Sequence, residues 1–154
     1  MPKIVIIGAG SVMFTRQLLS SIFSYPSLRG ARIVLEDVDE QVLARTLQLV
    51  QPTIPQNGLN AKDSATTNQK EALRDANFVI FAIQVGGLAA WRLDMDIPRK
   101  YGVSQEVGDT LGPGGIFRAL RHIPPLLSVL EDMAEVCPDA LLINKANPLA
   151  PLVW

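Results

Sequence analysis

Cysteine occurs once in this chain of 154 residues, at Cys137, and histidine once, at His122. A lone cysteine excludes an internal disulfide and suits a reducing compartment, so Cys137 is assigned to packing. Charge of one sign is missing as well: 14 Lys and Arg against 15 Asp and Glu leave a formal net charge of −1, and no basic run is present. That balance supplies no electrostatic reason to bind nucleic acid or an anionic membrane, and neither is an expected partner. The apolar runs at 4–7, 78–83 and 140–143 fall far short of the ~20 residues that cross a bilayer. Met1-Pro2-Lys3 leads into a strand rather than a signal peptide, and the expected location is cytoplasmic. A hydrophobic content of 48% fits one soluble domain with one core.

The segment that organises the rest is Lys3-Ile4-Val5-Ile6-Ile7-Gly8-Ala9-Gly10-Ser11. A β-branched run that stops at Gly-x-Gly and passes into a helical pattern reads as a buried parallel strand, a tight turn and a helix start. Gly8 allows the turn. Gly10, having no Cβ, lets backbone approach a pyrophosphate that rests on free N–H groups and the positive end of the helix dipole. The third glycine of the usual pattern is absent. Met13 holds its place, which predicts looser packing of helix on strand. An ordinary βα turn is the alternative.

Ser11 to about Ser24 carries a helical stripe of Val12, Leu18, Leu19, Ile22 and Phe23, ending before Pro26. Ala31–Leu35 is the expected second strand, delivering Glu36-Asp37-Val38-Asp39 at its carboxyl end. An acid there, roughly 20 residues past the glycine turn, accepts bonds from the adenosine ribose and repels a 2′-phosphate. Asp37 is that candidate, with NAD preferred over NADP, and Asp39 is expected to cap the following helix. Residues 52–60 read as a loop, 62–67 as a short third strand, and Asn68 as the cap of a short helix. Phe78–Ile83 is the fourth strand. The loop behind it, with Val85 and Gly86, is predicted to face the cofactor crevice.

A helix is expected over Leu88–Tyr101, bent or ended by Pro98. Gly102–Gly115 reads as an irregular loop whose four late glycines approach a ligand or take unusual angles. Ile116–Met133 keeps helical spacing across Pro124-Pro125, which predicts two pieces or a kink, with His122 a partly exposed helix residue. Ala140–Ile143 is the fifth strand. The alternation calls for an α/β, Rossmann-like doubly wound parallel sheet over 1–154. The apolar end at Pro148–Trp154 reads as a truncation, with an exposed sheet edge that favours association into a homo-oligomer or aggregation.

Gly8-Ala9-Gly10-Ser11 with Phe14, Asp37-Val38-Asp39, Gln84-Val85-Gly86-Gly87, Gly108-Asp109-Thr110, Gly114 to Arg121 and Asn147-Pro148 stand in an order that resembles glycoside hydrolase family 4, in particular its α-galactosidases. The family shares its fold with lactate and malate dehydrogenases, which lack the long segment from Gly108 to Arg121. The resemblance implies NAD and a divalent metal, typically Mn2+, in place of the paired carboxylates of most glycosidases. In the family, hydride leaves C3 of the sugar, the C2 proton becomes acidic, the leaving group is eliminated, water adds and the hydride returns. By the same resemblance Gly8, Gly10 and Ser11 hold pyrophosphate, Asp37 the ribose, and Val85 and Gly86 border the nicotinamide. Asp109 reaches sugar hydroxyls, and Asn147 lies between nicotinamide and substrate. Arg118 is a sugar or phosphate contact, with a structural ion pair as the alternative. Lys145 departs from the tyrosine that relatives often carry. The metal ligands and catalytic base are expected beyond residue 154, so no residue here is assigned to metal or to catalysis, and this fragment is expected to lack turnover. The rival readings are a 2-hydroxy-acid dehydrogenase relative, which needs a catalytic His–Asp pair not placed here, and a non-catalytic NAD-binding module.

Overall fold

The computed structural model describes residues 1–52, 62–106 and 110–154. The loop expected over 52–60 falls almost wholly outside those residues, and so does Asp109. The chain divides into two compact units, one formed by Met1–Ala82 with Glu131–Ile143 and the other by Ile83–Leu130 with Asn144–Trp154.

The first unit holds a five-stranded sheet in the order β3-β2-β1-β4-β5. Its strands are β1 (Lys3–Ile7), β2 (Arg32–Glu36), β3 (Lys62–Thr66), β4 (Phe78–Phe81) and β5 (Leu141–Asn144). Pairing is parallel, with Ile4 opposite Ile33 on one side and Phe78 on the other. The strand order reverses direction between β1 and β4, so the carboxyl end of β1 lies at the switch point of a doubly wound sheet. All five residues of β1 are buried, as a strand covered on both faces requires. The core gathers Ile4, Ile6, Ile33 and Leu35 with Leu19 and Phe23 of α1 (Val12–Ser24) and Leu43 and Val50 of α2 (Glu40–Val50). Each such side chain taken fully out of water stabilises the fold by about 1.5–3 kcal/mol.

Local chemistry sets the helix starts. Asp39 accepts the amides of Gln41 and Val42 at 3.0 Å each, and Asn68 accepts that of Glu71 at 3.0 Å, opening α3 (Gln69–Leu73). Cys137 is buried, and burial pushes its thiol pKa up, in keeping with a packing role. Met13 does not crowd the first helix: it is 86% exposed, and the residue buried at that crossing is Thr15, whose hydroxyl donates to the Ala9 carbonyl at 2.9 Å. The expected loosening therefore has no cause, because the third-glycine position points outward.

In the second unit α4 spans Gly87–Arg99 with Pro98 one residue from its end. The expected loop to Gly115 is shorter than predicted, because α5 (Gly112–Val136) already begins at Gly112. This helix starts in the second unit and ends in the first, and it runs unbroken through Pro124-Pro125 instead of splitting. Two adjacent prolines remove two donors, but Ala119, His122, Leu126, Val129 and Met133 stay buried along one stripe, and that burial outweighs the lost bonds. A short helix, α6 (Leu149–Val153), closes the chain where only an apolar tail was expected.

Asp39→Ala should cost about 1 kcal/mol in a urea melt, the usual worth of a helix cap. The adjacent Val38→Ala, at a side chain 91% exposed, should change stability by less than about 0.5 kcal/mol.

Candidate functional site

At the carboxyl ends of β1 and β2 the glycine turn is fastened to the second strand. Gly8, at φ +86°, and Ala9 both donate their amides to the Glu36 carbonyl at 2.9 Å. Gly10 donates its amide to Asp37 Oδ2 at 2.8 Å, while Asp37 Oδ1 accepts the Asp39 amide at 3.0 Å. A Cβ on Gly10 would lie 2.6 Å from Asp37 Oδ2 and 2.9 Å from Val42 Cγ1, so only glycine fits there. Thr46 holds the Gly10 carbonyl from the other side at 3.3 Å. Ser11 occupies the cap position of α1 with extended backbone, makes no capping bond of its own, and is followed by no acid in the first turn. No acid in the first turn and no cap side chain takes the opening amides of α1, a setting that suits a phosphate. Each carboxylate oxygen of Asp37 keeps a second lone pair for a ribose hydroxyl.

Glu36 was not singled out by sequence reasoning. It is only 3% exposed, and burial, helped by the neighbouring Asp37 carboxylate, pushes its carboxyl up to about 7 against a contribution from the Gly8 amide that lowers it. A charged residue closing a buried strand was the available signal.

In the second unit Val85, Gly86, Arg118 and Asn147 come together. Arg118, almost fully buried, donates from Nη2 to Gln84 Oε1 at 2.5 Å and from Nε to the Asn147 carbonyl at 3.0 Å. Its guanidinium joins the Gln84 side chain to the Asn147 main chain. Gly86, at φ +79°, caps α4, and a Cβ there would fall 2.5 Å from Ala90 Cβ. Asn147 is tied through its carbonyl, which leaves its exposed side chain outside that bond. His122 is not partly exposed as expected: it is completely buried, with the Val85 amide on Nε2 and the Arg118 carbonyl on Nδ1. The helical period marks 122 as belonging to the same face as 119 and 126, and that face is the buried one. Arg121 forms a two-pronged ion pair with the buried Asp94 at 2.7 and 2.6 Å, which raises the arginine pKa further. Among the described residues no three His, Cys, Asp or Glu side chains are grouped to hold a metal ion.

Two measurements probe the turn. Gly10→Ala and Asp37→Ala should each destabilise the chain, and the double variant should cost less than their sum, because removing the carboxylate removes the tighter of the two clashes and leaves that with Val42; matched urea melts of the three variants read this coupling. For Glu36 the folded pKa of about 7 lies above the ordinary 4.5, so its stabilising contribution is fully present below 4.5 and disappears as pH rises through about 7. Glu36→Gln should match the wild type at pH 4 and exceed it by up to about 3 kcal/mol at pH 8.

The chain is similar to an α-glucosidase of Erwinia rhapontici, 43% identical over 149 residues, which cover 96% of this chain and 33% of that protein. It is 42% identical over 153 residues to an α-galactosidase of Rhizobium meliloti, covering 99% of this chain and 31% of the relative. Its fold matches the 6-phospho-β-glucosidase of Thermotoga maritima solved with manganese, NAD+ and glucose-6-phosphate, at a TM-score of 0.85 and 26% identity over 96% of this chain and 35% of that one. The chain therefore spans about a third of the length of the curated relatives it matches. The model of the family 4 glycosyl hydrolases matches residues 3–154, and the chain belongs to that family.

Proposed function

We propose that this chain is the NAD-binding Rossmann part of a family 4 α-galactosidase. The observation that carries the reading is the Gly10–Asp37 bond: a turn stripped of side chains at the switch point, held by a carboxylate that still has free lone pairs. Gly8, Gly10 and Ser11 would hold the pyrophosphate on the opening amides of α1, whose dipole favours the anion. Asp37 would accept the ribose hydroxyls and repel a 2′-phosphate, which selects NAD over NADP.

Val85 and Gly86 border the nicotinamide in this reading, Asn147 stands beside the sugar, and Arg118 holds the two loops that carry them. Asp109 is read as a sugar-hydroxyl contact. NAD, when bound, supplies a reversible hydride acceptor for a sugar C–H. The part of this chain is to bind, orient and keep water from that exchange. The relatives' solved structures carry Mn2+ as well. By the family resemblance, the ligands of such an ion and the catalytic base are assigned to sequence that the relatives have and this chain does not span. Among the described residues no helix is long and apolar enough to cross a membrane. The protein is read as a cytoplasmic homo-oligomer acting on a small sugar, and the net charge of −1 gives no electrostatic reason to bind nucleic acid or an anionic membrane.

Calorimetric titration of the chain with NAD should give saturable binding that Asp37→Ala weakens at least about tenfold, with NADP binding more weakly than NAD. Absence of binding by a folded wild-type chain would overturn the reading. A chain extended to the length of its relatives should hydrolyse p-nitrophenyl α-galactoside with NAD and Mn2+ faster than the α-glucoside; the reverse order would move the substrate to glucose.

A further inference from the structure

His122 is the most deeply buried polar ring in the second unit, and no role in binding or catalysis was assigned to it. The Val85 amide, 3.3 Å from Nε2, can only donate, and the Arg118 carbonyl, 2.8 Å from Nδ1, can only accept. One state of the ring satisfies both, the neutral Nδ1–H tautomer. Arg118 and His122 are one helical turn apart on α5, and they grip neighbouring residues of one loop: Arg118 takes the Gln84 side chain and His122 the Val85 main chain. The far end of that loop is fixed too, because Gly86 caps α4 and Asp94 of α4 pairs with Arg121 of α5.

We propose that His122 is a positioning residue, which sets the main chain of the Gln84–Gly86 loop at the nicotinamide side by accepting the Val85 amide while it donates to the Arg118 carbonyl. This rests on the reading of that loop as the border of the nicotinamide. The charged groups around the ring agree with it. Burial, and the Arg118 and Arg121 cations on its own helix, hold the imidazole pKa below its ordinary 6.5, against opposing backbone bonds from Arg118 and Ile83. Asp94 on α4 is engaged with Arg121, one residue before His122 on α5. A ring that charged would lose the acceptor at Nε2, so the grip on Val85 holds at and above the ordinary histidine pKa and weakens only at lower pH.

The test uses the 154-residue chain with two probes, NADH and ADP-ribose, the second lacking the nicotinamide. Glutamine can place an amide oxygen where Nε2 is; asparagine reaches only the Arg118 side. Wild type and His122→Gln should bind NADH within about threefold of each other, whereas His122→Asn should bind it at least about tenfold more weakly while keeping its ADP-ribose affinity. Equal NADH binding by all three overturns the proposal. Parallel loss of both probes, or failure of the asparagine variant alone to fold, makes His122 a purely structural residue and overturns it as well. If neither variant folds, 15N spectra of the wild type decide: an unprotonated Nε2 bonded to the Val85 amide at pH 7 supports the proposal, and an imidazolium ends it. Failure of the wild type to bind either probe strikes the NAD reading, not the role of the ring.

Discussion

One carboxylate and one carbonyl at the tip of β2 fix the arrangement on which the nucleotide site depends. The Glu36 carbonyl takes two successive amides of the turn, and the Asp37 carboxylate takes the third. A turn that must present bare backbone to a ligand cannot fill its own hydrogen bonds with bulky side chains. Here the neighbouring strand supplies them. The same contact explains why the positions are inseparable: Gly10 must lack a Cβ because Asp37 is there, and Asp37 can be there because Gly10 lacks one.

The second unit solves a similar problem with side chains from a helix. The loop after β4 is irregular, and its polar groups must be satisfied in a partly buried place. Two residues a helical turn apart on α5 do it, a guanidinium for a side-chain oxygen and an imidazole for an amide. Using a long helix as the clamp has a mechanical advantage, since residues at i and i+4 are held at a fixed spacing by the helix itself. Pro124-Pro125, which would break an exposed helix, is tolerated just beyond the clamp because buried residues flank it on both sides.

The sheet was legible because parallel strands buried on both faces must be continuous apolar runs, and 4–7, 33–35 and 79–81 are such runs. Caps were legible for a similar reason: Asp39 and Asn68 precede helical stripes and have few other uses there. Gly112, Gly114 and Gly115 carry strong local loop signals, yet they lie inside α5, where the following stripe decides the conformation. The helical period places His122 on the buried face, but the partner of its Nε2 is not readable from that period, because Val85 lies 37 residues away along the chain.

Glu36 and His122 are two buried titrating groups whose contributions run in opposite directions with pH. Glu36, with its value raised to about 7, favours the folded state at low pH and withdraws that support as it ionises. His122, with its value lowered by burial and two cations, does the opposite, favouring the folded state when neutral and withdrawing as pH falls below 6.5. Just below 6.5 the two slopes have opposite sign. Each residue lies in a different unit, so the compensation applies to the chain as a whole but not to either unit alone. The glycine turn should therefore hold best at acid pH and the clamped loop at and above the ordinary histidine value of 6.5, so no single pH favours both in full.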